Sequence, residues 1–145
     1  MVELITAVAI ASILLTIAAP SFSSLIANQQ GKAVASELYI ALLRTRSEAI
    51  ARNANVTLSS KTGGWQNGWQ VLDPANASNV LEDRNAATGA TVSGPGTITY
   101  RGSGRIQNTT RPSFVIRTHS GSLDQYQCIS IDLSGRPYMK RAATC

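Results

Sequence analysis

The sequence has little charge, few cross-links and almost none of the residue clusters that carry catalysis. Asp, Glu, Lys and Arg make up 14% of its 145 residues, against about 25% in an average soluble domain. The shortfall is local, because no charged residue lies between Glu3 and Lys32. There is one histidine, His119, in a predicted turn, and there are two cysteines, Cys128 and Cys145. One imidazole and two thiols cannot close a tetrahedral zinc site. No nucleophile-elbow motif surrounds a serine, and Gly31-Lys32 runs into Ala33 without the upstream glycine of a phosphate loop. An enzyme is not expected, and no cofactor or metal is implied. The low cysteine count excludes a disulfide-dense mini-protein, and a hydrophobic content of 43% excludes a disordered chain. A single long apolar run excludes a multi-span membrane protein and argues against a plain cytosolic globule.

That run is the first informative feature. Leu4 to Ala19 is almost wholly apolar, and the stretch to Phe22 approaches the ~20 residues that span a bilayer as a helix. It lacks the basic start and well-placed cleavage context of a secretory signal. Glu3 stands at its very beginning. A carboxylate at the edge of an apolar helix is costly without a partner, which marks it as functional; the alternative is a first-turn acid favoured by the helix dipole. Pro20 removes a backbone hydrogen bond and predicts a kink. Beyond it Val34, Leu38, Ala41, Leu42, Thr45 and Ala49 form one stripe at helical spacing, with Arg44, Glu48 and Arg52 as an i, i+4 charged row. The helix is expected to end near Asn53–Asn55. About 50 residues at 1.5 Å each give about 75 Å, far more than the diameter of the remaining domain. Half of it must project, and a projecting apolar helix needs a bilayer or copies of itself.

After Asn55 the pattern changes to short β-branched and aromatic runs: Val56–Ser59, Trp69–Leu72, Val80–Glu82, Thr97–Arg101, Ser113–Thr118 and Tyr126–Leu133. Glycine- and proline-rich turns separate them, and Asp83 to Gly96 reads as a loop. The fold class is α+β, an antiparallel β domain packed on the second half of the helix. For Cys128 and Cys145 a mutual bond is the economical reading, with two free thiols as the alternative. Charge is lopsided. Residues 1–83 hold five basic and six acidic groups, and residues 84–145 hold eight basic and two acidic ones. Such asymmetry fits a polyanionic partner, or else a solubilising basic face.

The opening Met1-Val2-Glu3-Leu4-Ile5, with Ala7-Val8-Ala9-Ile10 and the run to Ala19-Pro20-Ser21-Phe22, resembles the start of type IV pilins and type II secretion pseudopilins. The stretch Leu43-Arg44-Thr45-Arg46-Ser47-Glu48-Ala49-Ile50-Ala51-Arg52-Asn53, running into Val56-Thr57-Leu58, resembles the GspH/FimT branch of minor pilins, as does the closing cysteine pair. The resemblance implies the type IV pilin fold, with a membrane-spanning and filament-core helix half over 1–27. A periplasmic globular domain over 28–145 would follow, made of helix 28–54 and β domain 55–145. It implies a short basic leader and two mature residues ahead of Met1, which stands where the family has leucine. It gives Glu3 a role in assembly by pairing with a neighbouring subunit's amine. The implied partners are other pilin and minor pilin subunits, the prepilin peptidase and N-methyltransferase, and the bacterial inner membrane before assembly into the pilus.

FimT-type members include proteins that bind DNA for natural transformation through a glycine-arginine motif near the C-terminus. The matching stretch here is Ser134-Gly135-Arg136-Pro137-Tyr138-Met139-Lys140-Arg141, with Tyr138 where a second arginine is usual. Arg136 and Arg141 can fork onto phosphates, Lys140 adds a point charge and Tyr138 can stack on a base. In extended chain Arg136, Tyr138 and Lys140 would share a face, with Arg141 opposite. Arg101 and Arg105 would lengthen the patch if they lie nearby. Three functions follow: a DNA-binding minor pilin, a minor pilin or H-type pseudopilin acting through protein contacts alone, or an anchored periplasmic adhesin or sensor. Glu3 argues against the third.

Overall fold

The structure is a computed structural model that describes the backbone of residues 2–76, 78–85, 89–120 and 123–145, and their side chains except at 15, 17–21 and 123. Helix α1 runs over Val2–Arg52. It is built from alanine, leucine, isoleucine and other helix-compatible residues, and the assignment is unbroken across position 20. The kink expected at Pro20 falls on a side chain outside those described. The helix ends at Asn53, which takes the left-handed conformation with φ 48°. Its N–H donates to the Ile50 carbonyl at 3.2 Å and the Ala54 N–H to the Ala49 carbonyl at 3.2 Å. This pair of bonds satisfies carbonyls that the last turn would otherwise leave open, and asparagine tolerates the required backbone.

Two antiparallel four-stranded sheets pack on the second half of α1. The strands are β1 Val56–Ser60, β2 Gly68–Leu72, β3 Val80–Asn85, β4 Ala90–Ser93, β5 Thr97–Tyr100, β6 Ser113–Ser120, β7 Leu123–Ile131 and β8 Pro137–Lys140. One sheet has the order β3-β2-β1-β5 and the other β4-β6-β7-β8. The helical stripe Val34, Leu38, Ala41, Leu42, Thr45 and Ala49 is buried, as expected from its spacing. Against it lie Val56, Leu58, Trp69, Val71, Ile98 and Tyr100 of the first sheet and Val92, Phe114, Ile116, Ile129 and Ile131 of the second. Trp65, on a one-turn helix before β2, joins the two halves. Its ring meets Phe114 edge-on at 4.9 Å, and its Nε1–H donates to the Pro95 carbonyl at 2.7 Å.

Three expectations are corrected. Asp83 to Gly96 is not a loop, because β3 extends to Asn85 and β4 occupies Ala90–Ser93. Strand β3 packs Leu81 against the core and is tied to the helix by charge as well. Its register sets Glu82 and Arg84 opposite Val71 and Trp69. From there Arg84 pairs with Glu37, and Glu82 pairs with Arg44 at 3.5 Å. Arg44 therefore leaves the expected row along the helix, where Arg52 keeps Glu48 at 2.8 Å. His119 sits in strand β6 rather than in a turn. In the first part of α1, Leu4, Ile5, Val8, Ile10, Ile13, Leu14 and Phe22 are exposed. Among the described residues no helix is long and apolar enough to cross a membrane; residues 15 and 17–21 of the apolar run are outside the described side chains.

Candidate nucleic-acid interface

The residues singled out in the C-terminal half fall on two turns and one edge strand. The first turn follows β5 and carries Arg101 and Arg105, both exposed. Hydrogen bonds from the Arg101 N–H to the Arg105 carbonyl and from the Gly104 N–H to the Arg101 carbonyl, each 2.8 Å, close it. The second turn joins β7 to β8 and carries Arg136. There the Gly135 N–H donates to the Asp132 carbonyl at 2.9 Å, and the Arg136 N–H to the Asp132 carboxylate at 2.9 Å. The Ser134 hydroxyl adds a bond to the same carboxylate at 2.6 Å. These donors, Ser134 first, hold the Asp132 carboxyl below its usual range.

The two turns touch through their glycines. Both have positive φ, 75° at Gly104 and 85° at Gly135. A side chain on Gly135 would collide with the Gly104 carbonyl oxygen, and one on Gly104 would come within 2.8 Å of Ile50. The chain thus brings Arg101 and Arg105 beside Arg136, although they belong to different sheets. Strand β8 leads away from this point. Tyr138 and Lys140 stand opposite Ser130 and Cys128 in the register, on the same face and exposed. Arg141 is turned elsewhere and donates to Gln125 at 2.5 Å. Cys145 is bonded to the buried Cys128, which returns the last residues of the chain to strand β7.

The electrostatics of the two ends differ. Lys61, Arg84, Arg44, Arg52 and Arg117 each have a carboxylate partner. Among the described residues, no carboxylate lies within ion-pair distance of Arg101, Arg105, Arg111, Arg136, Lys140 or Arg141. Arg117 and His119 meet on Asp124, at 2.7 and 2.9 Å. Hydrogen bonds from His119 and then Arg117 pull the Asp124 carboxyl down to about 2. This is an ionic cluster; among the described residues no hydroxyl or thiol is bonded to His119 as a nucleophile would be. No group of three metal-type ligands occurs among them either.

Two basic residues at this end are not obvious in the sequence. Arg111 is exposed and precedes Pro112, whose carbonyl accepts from the Ile131 N–H at 3.0 Å, beside the β7–β8 turn. Arg46 reaches the turns from the helix, and only its place in a family-like stretch marked it. Glu3 lies far from all of this. It is in the first turn of α1, exposed, and Arg46 is 43 positions further along, about 65 Å at the helical rise.

The profile described as type II transport protein GspH matches residues 34–135. The chain belongs to the GspH family. No curated protein matches this GspH-family sequence significantly. Its fold is similar to that of the type IV minor pilin FimU of Pseudomonas aeruginosa, with TM-score 0.66 and 20% identity over 75% of this chain and 87% of FimU. It is also similar to the minor pseudopilin EpsH from the type 2 secretion system of Vibrio cholerae, with TM-score 0.59 and 13% identity over 77% and 97% of the two chains. At these identities the likeness is one of fold. The GspH-family protein has the type IV pilin fold, a long N-terminal helix packed on antiparallel sheets, and the proteins it resembles are a minor pilin and a minor pseudopilin.

Proposed function

We propose that this GspH-family protein is a minor pilin of a type IV pilus that binds DNA without sequence preference, for uptake in natural transformation. The observation that carries the reading is the cluster of Arg101, Arg105 and Arg136 on two touching turns, without carboxylate partners among the described residues, with Lys140 continuing along β8. Guanidinium groups free of carboxylate partners among the described residues suit the regular charge of a phosphate backbone, whose contacts carry no sequence information. Tyr138, exposed on the same strand, supplies a stacking surface. Residues 1–27 would serve as the inner-membrane anchor and then as filament core, with 28–145 in the periplasm. Glu3 would set the register with other pilin subunits after the prepilin peptidase and N-methyltransferase have processed the chain. A second reading has its own support. The family description and the likeness to EpsH fit a pseudopilin or assembly-priming subunit of a type II secretion or type IV pilus system that works by protein contacts alone.

The test is fluorescence anisotropy of a labelled mixed-sequence duplex with the full chain in detergent, over about 50 to 200 mM salt. Wild-type binding should weaken with salt at a slope of about −0.9 per phosphate contact. The Arg136→Gln, Lys140→Gln, Arg141→Gln triple variant should flatten that slope and lose most of the affinity. Binding that survives in the variant would leave Arg101 and Arg105 as the main phosphate contacts. No binding at the low-salt end would leave the assembly-scaffold reading.

A further inference from the structure

The DNA-binding reading requires that Arg101, Arg105 and Arg136 keep a fixed spacing, yet they hang from different sheets. Strand β5 is the edge of one sheet and β8 the edge of the other, so no ladder hydrogen bond runs between the two turns. Each turn is closed by its own bonds, which fix its internal shape but not its place beside the other. Arg46 supplies the link. Its Nε–H donates to the Gly104 carbonyl at 2.9 Å, and its Nη2 reaches the Ser134 carbonyl at 3.4 Å. Its partners are main-chain atoms 58 and 88 residues away. A planar guanidinium presents donors in a fixed fork, so two carbonyls that satisfy it are held at a set separation. An ammonium has the charge without the fork. The glycine contact presses the turns together, and the fork ties both to a rigid helix.

We propose that Arg46 is a positioning residue of the nucleic-acid face, clamping the Arg101–Arg105 turn and the Arg136 turn to α1 so that their guanidinium groups meet one phosphate backbone together. The inference rests on the DNA-binding reading above. Arg46 does not itself contact DNA in this scheme; it acts through the two carbonyls, which is why lysine should not replace it.

The experiment compares the full chain with Arg46→Lys, Arg136→Gln and the double variant, using the same labelled duplex and hydrogen exchange of segments 101–107 and 131–137. Arg46→Lys keeps the charge, so a long-range electrostatic role would leave binding unchanged. The clamp instead predicts about tenfold weaker binding and faster exchange in both segments. It also predicts that Arg46→Lys costs little further affinity once Arg136 is already Gln, because residues acting through one another are not additive. A merely structural role would give additive losses that track the unfolding midpoint. Wild-type affinity in Arg46→Lys, or additive losses in the double variant, would overturn the clamp while leaving DNA binding intact. Failure of the unmodified chain to bind the duplex would overturn both readings. Should Arg46→Lys fail to fold, the unmodified protein still decides. Adding duplex should slow exchange in both segments together, and a response confined to one would overturn the clamp.

Discussion

At the scale of single residues, Gly135 carries more structural weight than the arginine it precedes. Its φ of 85° is a region that side chains with a Cβ rarely occupy, and the carbonyl of Gly104 fills the space where that Cβ would go. Gly135→Ala should therefore destabilise the protein by about 1–3 kcal/mol, the cost of a strained backbone position, and more if the turns must separate. Thermal unfolding of the purified variant measures the first effect, and duplex binding measures the second. An unchanged midpoint would mean that the two turns are not in contact. Arg136, Tyr138, Lys140 and Arg141 could be singled out as candidates because they are neighbours in the chain, although Arg141 turns toward Gln125. Arg46 and Gly104 could not be, since the meaning of a carbonyl partner 58 residues away appears only when the sheets are in place.

At the scale of elements, helix α1 and the strands rich in β-branched residues could be read from periodicity, since their buried positions repeat at the period of the structure. The two strands that escaped, β4 and β8, are sheet edges. Ala90–Ser93 is four residues long, and Pro137–Lys140 opens on proline, which argues against a strand in sequence. Their place is set by neighbours, β6 for one and β7 for the other. Strand β8 is also held from beyond its end, where the Cys128–Cys145 bond closes a separation of 17 residues. Such a loop contributes about 3 kcal/mol by restricting the unfolded chain. Reduction should lower the denaturation free energy by about that amount and speed exchange in 137–145 more than in β6. The measurement is paired denaturant melts with and without reductant. Coincident midpoints would show that β8 needs no covalent tie.

At the scale of the whole molecule, the two proposed roles lie at opposite ends of α1. The basic turns sit by its C-terminal end, and about 65 Å away an exposed apolar stretch ends in one carboxylate. Leu4, Ile5, Val8, Ile10 and Ile13 are exposed among the described residues, and burying them against copies of the same helix would remove a large apolar area from water. The side chain of Glu3 has no hydrogen bond to the globular part among the described residues, so it adds nothing to that part's stability. Glu3→Ala should leave the unfolding midpoint within the small range of surface changes, about 0.5 kcal/mol. If Glu3 pairs with a neighbouring subunit, the same variant should stay in the membrane fraction and be missing from sheared filaments, as shown by immunoblotting the two fractions. Glu3→Gln separates this from a helix-dipole effect. A lost dipole term of about 0.3–1 kcal/mol would still allow incorporation, whereas a lost ion pair between subunits leaves a buried amine without its partner and should exclude the subunit altogether. Normal incorporation of either variant would remove Glu3 from the assembly contact.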